Sequence, residues 1–180
     1  KLKKLAILGA SYLQKPLVEK ANSIGIETHC FAWDNDEAIC KFSATYFYPI
    51  SVLDKELILE KCLEIGIDGI TTIATDICIP TIAFIAEKMN LISNSYHSSI
   101  LSTNKGMMRK AFDDDNVNSP KSIAISNINI NDYNNFAFAL IVKPTDRSGS
   151  RGVTKVENNS ELEFAIVRGI EESIEKRDVV

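Results

Sequence analysis

A polar loop between two apolar segments carries the residue types that could bind an anion. Ile141 and Val142 lead into Lys143, small polar residues follow, and apolar character returns at Val153. Glycines let such a loop bend tightly, and its backbone N–H groups and serine hydroxyls can donate hydrogen bonds to an anion. Basic side chains would add positive charge, as a triphosphate requires. The candidate residues in this segment are Lys143, Ser148, Gly149, Ser150, Arg151 and Gly152.

The loop does not match the common phosphate-binding motifs. A P-loop reads G-x-x-x-x-G-K-[ST] and opens a helix, whereas Gly149 and Gly152 have neither that spacing nor a following Lys-Ser or Lys-Thr pair. An ordinary glycine-containing hairpin turn with a chance lysine would explain the same residues. Spacing alone leaves both interpretations open.

Composition and charge restrict the class of protein. The 180 residues suffice for one large or two small domains, and 45% hydrophobic with 24% charged residues is typical of globular chains. A net charge of −4 gives no electrostatic footprint for nucleic acid. No apolar run is long enough to span a membrane, and no secretory signal precedes the first strand. We therefore expect neither nucleic acid nor membrane as a partner.

The cysteines, histidines and clustered acids favour structural over catalytic roles. The cysteines show no C-x-x-C spacing and fall in apolar segments, which favours buried free thiols over disulfides or zinc and indicates a cytoplasmic location. His29 and His97 have no nucleophile pattern around them. The consecutive acids 113–115 cannot all face one ion, so a solvated loop is favoured over a metal site. The four cysteines are Cys30, Cys40, Cys62 and Cys78.

Residues 1–93 alternate short apolar runs with helical segments, a pattern typical of a parallel α/β sheet. Asp54 is predicted to cap one helix, and Pro16 and Pro80 to open two others. After the first strand only Gly9 of a dinucleotide-binding fingerprint is present, so a nicotinamide or flavin site is not favoured. Strands are predicted at 5–9, 28–31, 46–50, 69–73 and 91–93.

After Asn94 the pattern changes to that of a small α+β region. One helix is predicted over 98–112, and Ser160 with Glu163 reads as a capping box for a final helix that ends near Lys176. A last strand would begin at Val179. Between them, apolar runs at 123–125, 139–142 and 153–156 indicate a mainly antiparallel sheet.

The order of these pieces resembles that of ATP-grasp carboxylate–amine ligases, the superfamily of carbamoyl phosphate synthase and biotin carboxylase. The resemblance depends on Lys105 before a helix, on Ser119 and Pro120, and on Lys143 before the loop. It implies a Rossmann-like pre-ATP-grasp parallel sheet over residues 1–93. A small α+β first lobe of the ATP-grasp domain would follow over 94–180.

The resemblance also implies a site and a reaction. Lys105 and Lys143 would contact the phosphates of ATP, and the segment from Ser148 to Gly152 would close over them. A substrate carboxylate would attack the terminal phosphate, and an amine or other nucleophile would capture the resulting acylphosphate. The implied partners are thus a small carboxylate and an amine, and the resemblance allows a homodimer.

The implied magnesium ligands, a Glu/Asn set, and the adenine-binding hinge belong to a following lobe that this chain lacks, with Val179 at the start of the hinge. We therefore expect no ligase turnover from these residues alone, and no catalytic residue or metal ligand can be named in them. A non-catalytic nucleotide- or metabolite-binding module is the alternative, and a Rossmann-type oxidoreductase is a weaker one. Ser11, Gln14 and Asp76 would either face substrate or serve as turn and cap residues.

Overall fold

The computed structural model describes residues 2–126, 136–175 and 178–180, and the chain divides into two compact units, Lys1–Ser99 and Ile100–Val180. In the first unit, four parallel strands lie in the order β3-β2-β1-β4. The parallel α/β sheet that the pattern predicts is thus confirmed. The strands are β1 (Lys4–Leu8), β2 (Glu27–Phe31), β3 (Tyr46–Tyr48) and β4 (Gly69–Thr71).

Helices cover both faces of this sheet, so its central strands are buried on both faces toward their carboxyl ends. Leu8 and Phe31 belong to the apolar cluster on one face, whereas Ile7 and Cys30 belong to the cluster on the other. The connecting elements are α1 (Lys15–Ser23), a short 3₁₀ helix (Ile39–Phe42), α2 (Lys55–Ile65) and α3 (Ile79–Lys88).

The ends of these helices follow local side-chain chemistry. The Asp54 side chain accepts a hydrogen bond from the Leu57 amide at 3.3 Å, which confirms the predicted cap of α2. The strand predicted at 91–93 is wrong. The Leu91 amide instead donates to the Ala86 carbonyl at 2.8 Å and closes α3, and Ile92 is fully exposed.

The second unit contains a two-stranded antiparallel sheet, β5 (Leu140–Val142) with β6 (Thr154–Val156), packed against helix α6 (Asn159–Glu172). Its core unites Val142 and Val156 with the inner face of α6. Two further helices are α4 (Tyr96–Thr103), which includes the division between the units, and α5 (Lys105–Asp114). The α+β character predicted for this region is confirmed.

Two helix predictions in this region need correction. The single helix predicted over 98–112 is broken at Asn104, whose side chain caps α5 by accepting from the Met107 amide at 3.0 Å. Helix α6 is capped by Asn158 rather than Ser160, and Glu161 accepts at 2.8 Å from the Asn158 side-chain amide. The capping chemistry was predicted at the wrong register, because serine and asparagine cap equally well.

The described C-terminal residues 178–180 run antiparallel beside two segments. Val179 forms bridges with Ile125 and with Pro144, and the Lys143 and Val180 backbones exchange hydrogen bonds of 2.9 and 2.8 Å. The strand predicted over 123–125 is therefore reduced to a single bridge at Ile125. The backbone of Lys143 is thus held by a residue outside the β5–β6 hairpin.

Candidate functional site

Lys105 is joined to the segment that precedes the candidate loop. It is the first residue of α5, and its amide donates to the Thr145 carbonyl at 2.8 Å. Its ammonium group donates to the Arg147 carbonyl. Close packing assists this approach, because a Cβ on Gly106 would lie 3.4 Å from Thr145 Cγ2. The structure therefore brings Lys105 to the loop that follows Lys143.

Lys143 follows the last residue of β5 and is half-buried. Within the part of the chain that the structure describes, its ammonium group has no hydrogen-bond or ion-pair partner. Its backbone is fixed by the pairing with Val180, so the position from which its side chain extends is well defined.

The loop from residue 148 to residue 152, here called the 148–152 loop, has an exposed tip and a packed base. Ser148, Gly149, Ser150 and Arg151 are exposed, and Gly152 is buried. No hydrogen bond among the described residues uses the backbone N–H groups of this loop. These donors are available to an anion.

The two glycines of the loop have different roles. Both have positive φ, +68° at Gly149 and +70° at Gly152. A Cβ on Gly149 would meet nothing within 4 Å, whereas a Cβ on Gly152 would lie 2.8 Å from both Pro144 Cγ and Glu172 Cβ. Gly149 therefore permits the turn, and Gly152 permits the loop to return against α6.

Asp146 and Arg147, which sequence analysis did not select, complete the start of the loop. The Asp146 carboxylate accepts from Ser173 Oγ at 3.0 Å and from the amides of Ile174 and Glu175 at 3.0 and 2.8 Å. The Nε of Arg147 is buried and has no hydrogen-bond partner among the described residues. Arg147 could have been chosen by its charge alone, but nothing in the sequence marks the Asp146 contacts.

The first unit contains a second glycine turn, and its donors are already used. Gln14 is 3% exposed and accepts from the Ser11 amide at 3.1 Å and from Ser11 Oγ at 2.8 Å. Its amide nitrogen donates to the Ile73 carbonyl at 2.6 Å. Gln14 lies against Gly9, where a Cβ would come within 2.9 Å of Gln14 Cδ. Ser11 and Gln14 thus act as turn residues, whereas Asp76 is exposed.

The thiols and His29 occupy structural positions. All four cysteines are free and buried, as predicted, and burial raises the pKa of Cys30, Cys62 and Cys78 to about 12. His29 lies between the Glu27 carboxylate at 2.8 Å and the Tyr48 hydroxyl at 3.1 Å. Neutral thiols are poor nucleophiles and poor metal ligands. Among the described residues, no group of three or more His, Cys, Asp and Glu side chains could hold a metal ion.

No protein-family model matches the sequence, and no curated protein sequence matches it. In the described ranges, no helix has both the length and the apolar character needed to cross a membrane.

Solved structures match nearly the whole chain. Phosphoribosylglycinamide synthetase from Anaerococcus prevotii is 25% identical with a TM-score of 0.67, and the match covers 99% of this chain and 45% of that one. L-amino acid ligase from Bacillus licheniformis is 21% identical with a TM-score of 0.72, covering 98% and 43%. The biotin carboxylase domain of 2-oxoglutarate carboxylase from Hydrogenobacter thermophilus, in complex with MgADP, ADP and bicarbonate, is 18% identical with a TM-score of 0.73, covering 98% and 43%.

The chain spans less than half the length of these matched chains. All three are ATP-grasp ligases. The resemblance inferred from the order of the sequence motifs is therefore confirmed, and the chain has the α/β fold of the amino-terminal part of ATP-grasp ligases.

Proposed function

We propose that this chain is the amino-terminal part of an ATP-dependent carboxylate–amine ligase and that its second unit contributes phosphate-binding groups. One observation carries the proposal. Lys105 donates from both its amide and its ammonium group to carbonyls of the segment that connects Lys143 to the 148–152 loop. Residues far apart in sequence are thus assembled at one loop, in the order that the resemblance implies.

The donor set fits a polyphosphate. It combines the Lys143 ammonium with the N–H groups of the 148–152 loop, all of which lack a partner among the described residues. Hydroxyl groups from Ser148 and Ser150 and the charge of Arg151 lie on the same exposed tip. Ionised acceptors form the stronger hydrogen bonds with such donors, so an anion of high charge suits this loop best.

In this proposal ATP supplies a terminal phosphoryl group for a small carboxylate, and the resulting acylphosphate reacts with an amine. Lys105 and Lys143 would orient the phosphates and offset their charge. The 148–152 loop would exclude water from the labile product. Magnesium ligands and the adenine-binding hinge would come from a following lobe. For the longer enzyme we propose a small carboxylate and an amine as substrates, a cytoplasmic location and assembly as a homodimer.

A non-catalytic nucleotide-binding module remains the second candidate, because the same donors would bind ATP without turnover. Magnesium-dependent ATP hydrolysis separates the alternatives when it is assayed with a longer chain that contains a following lobe. Turnover there supports the ligase, whereas nucleotide binding without turnover supports the module. For residues 1–180 alone we expect no hydrolysis. Robust hydrolysis by these residues would contradict the proposal that the magnesium ligands lie in a following lobe.

The phosphate site is tested by calorimetry with ATP and with inorganic tripolyphosphate. Replacing Lys143 by alanine removes a charge-assisted contact, so we expect binding to weaken by about 1.5–3 kcal/mol. Lys105→Ala should weaken binding as well, because it removes the hydrogen bond that the Lys105 ammonium donates to the Arg147 carbonyl at the start of the loop. Lys155→Ala is the matched control, since this exposed strand lysine already pairs with Glu157. Wild-type affinity in all three variants would refute the site.

A further inference from the structure

Arg147 contains a buried hydrogen-bond donor, Nε, that the fold does not pair with an acceptor among the described residues. Its Nε is inaccessible to water and has no hydrogen-bond partner in the described structure. A buried polar group without a partner destabilises a folded chain. Arginine is also poorly suited to be a simple spacer at this position, because its guanidinium stays charged. The position therefore calls for an acceptor that the described residues do not supply.

The nearest candidate for a counter-charge is already committed elsewhere. Asp146 directly precedes Arg147, but its carboxylate accepts from Ser173 Oγ and from the amides of Ile174 and Glu175. In the described ranges no carboxylate lies within 4.0 Å of the cationic nitrogens of Arg147. Positive charge is therefore left uncompensated at the start of the loop.

The backbone of the same residue connects it with the proposed site. The Arg147 carbonyl accepts the hydrogen bond from the Lys105 ammonium group, and Lys143 lies a few residues earlier with its own ammonium unpaired. Lys143 and Arg147 thus lie on one short segment, and the ammonium group of a third cation, Lys105, contacts the backbone of that segment. Such a cluster of charge favours a ligand with several anionic oxygens.

We infer that Arg147 is a third cation of this site, and that it makes the site selective for a tri- over a monophosphate. The inference depends on the proposed function for the identity of the site, but it adds a residue that the ATP-grasp resemblance did not select. The guanidinium presents a planar fork of donors, which matches phosphate oxygens in pairs. The half-buried side chain would bind the anion through its terminal nitrogens, since Nε itself is inaccessible to solvent.

The test measures affinities for tripolyphosphate and for inorganic phosphate in Arg147→Gln and Arg147→Lys. We expect Arg147→Gln to weaken tripolyphosphate binding about tenfold or more, with a much smaller effect on phosphate. Arg147→Lys should recover only part of the loss, since it keeps the charge but not the fork. The matched control is Arg168→Gln on α6, because Arg168 is exposed and contacts Thr154 Oγ1 at 3.4 Å.

Thermal stability without ligand separates a binding role from a structural one. Removing an unsatisfied donor should leave the melting temperature of Arg147→Gln unchanged or raised, whereas a structural arginine would lower it. The inference fails if Arg147→Gln binds tripolyphosphate like wild type, or if Arg168→Gln loses as much affinity. If Lys143→Ala weakens binding and Arg147→Gln does not, the proposed function survives and the third cation is refuted. If the wild-type chain binds no tripolyphosphate, both fail.

Discussion

The two units each contain a glycine turn after a strand, but the two turns treat their donors in opposite ways. In the first unit the Gln14 side chain lies against Gly9 and accepts hydrogen bonds from the Ser11 amide and hydroxyl. In the second unit neither the N–H groups of the 148–152 loop nor the ammonium group of Lys143 has a partner in the described structure. Positive φ is common to Gly9 and Gly152, at +94° and +70°.

This difference shows that a glycine permits a tight turn without making it an anion site. A glycine turn can bind an anion only if its N–H donors are not already hydrogen-bonded within the protein. By that criterion the Gly9 turn is a structural turn whose donors are used, whereas the donors of the 148–152 loop remain available to a ligand. We therefore expect substitutions in the Gly9 turn to change stability without changing anion binding, and substitutions of the cations around the 148–152 loop to change anion binding.

The largest expected effect comes from Gly152→Ala. The left-handed backbone costs about 1–2 kcal/mol for a residue with Cβ, and overpacking against Pro144 and Glu172 adds about 1–3 kcal/mol. Gly149→Ala is the matched control, since it carries the backbone cost in open space. Urea unfolding followed by circular dichroism compares the two. Equal destabilisation by both variants would show that the loop is not packed at Gly152.

Gln14→Ala should destabilise the first unit without changing anion binding. The substitution leaves the Ser11 amide and the Ile73 carbonyl without their partner, and each buried unsatisfied group costs about 1–3 kcal/mol. Fluorescence of Trp33, the one tryptophan of the chain, reports unfolding of this unit. A gain of tripolyphosphate binding in Gln14→Ala would break the comparison, because it would reveal a latent site under the glutamine.

Alkaline pH should weaken the first unit selectively, because all four thiols lie in it. Burial raises the pKa of Cys30, Cys62 and Cys78 from 9.0 to about 12. A raised pKa stabilises the fold below pH 9, and this stability is lost as the pH rises from 9 toward 12. At pH 10 the ionisation of each of these three thiols in the unfolded chain lowers the free energy of unfolding by about 1.4 kcal/mol. Trp33 fluorescence in urea at pH 8 and pH 10 measures the loss, and Cys62→Ala should reduce it.

The smallest effect is expected at the start of α6. Asn158→Ala removes the cap that accepts from the Ser160 amide at 3.0 Å and should cost about 1 kcal/mol. Ser160→Ala should cost less, because the Ser160 hydroxyl only donates to the same Asn158 oxygen. Urea unfolding compares the variants, and a larger loss for Ser160→Ala would restore the register predicted from sequence. Neither variant should alter tripolyphosphate affinity.

The sequence predicted what local patterns control. Buried strands appear in the sequence as apolar runs, and Asp54 marks the start of α2. The predicted bounds of the parallel strands and of their helices therefore lie within a few residues of the observed ones. The strand predicted at 91–93 failed because apolar residues also follow helix ends. Leu91 there closes α3 through its backbone, which leaves no ladder for the exposed Ile92.

The candidate site was predictable in its charges but not in its contacts. Lys105 and Lys143 could be chosen from their order along the chain, and their roles remain predictions. The bond from Lys105 to the Arg147 carbonyl depends on tertiary structure, as does the approach of α6 to Gly152. No local pattern encodes such contacts, because they join residues that are far apart in sequence.

The pairing of residues 178–180 with Ile125 and Lys143 also sets an order of events during synthesis. All contacts within the first unit are complete once residue 99 has left the ribosome, so this unit can fold while the rest is still being made. The second unit must wait for Val179, whose buried side chain packs against Gly169 of α6. The β5–β6 hairpin can pair once Val156 has been made, whereas the backbone of Lys143 gains its bonds to Val180 only after residue 180 has been added.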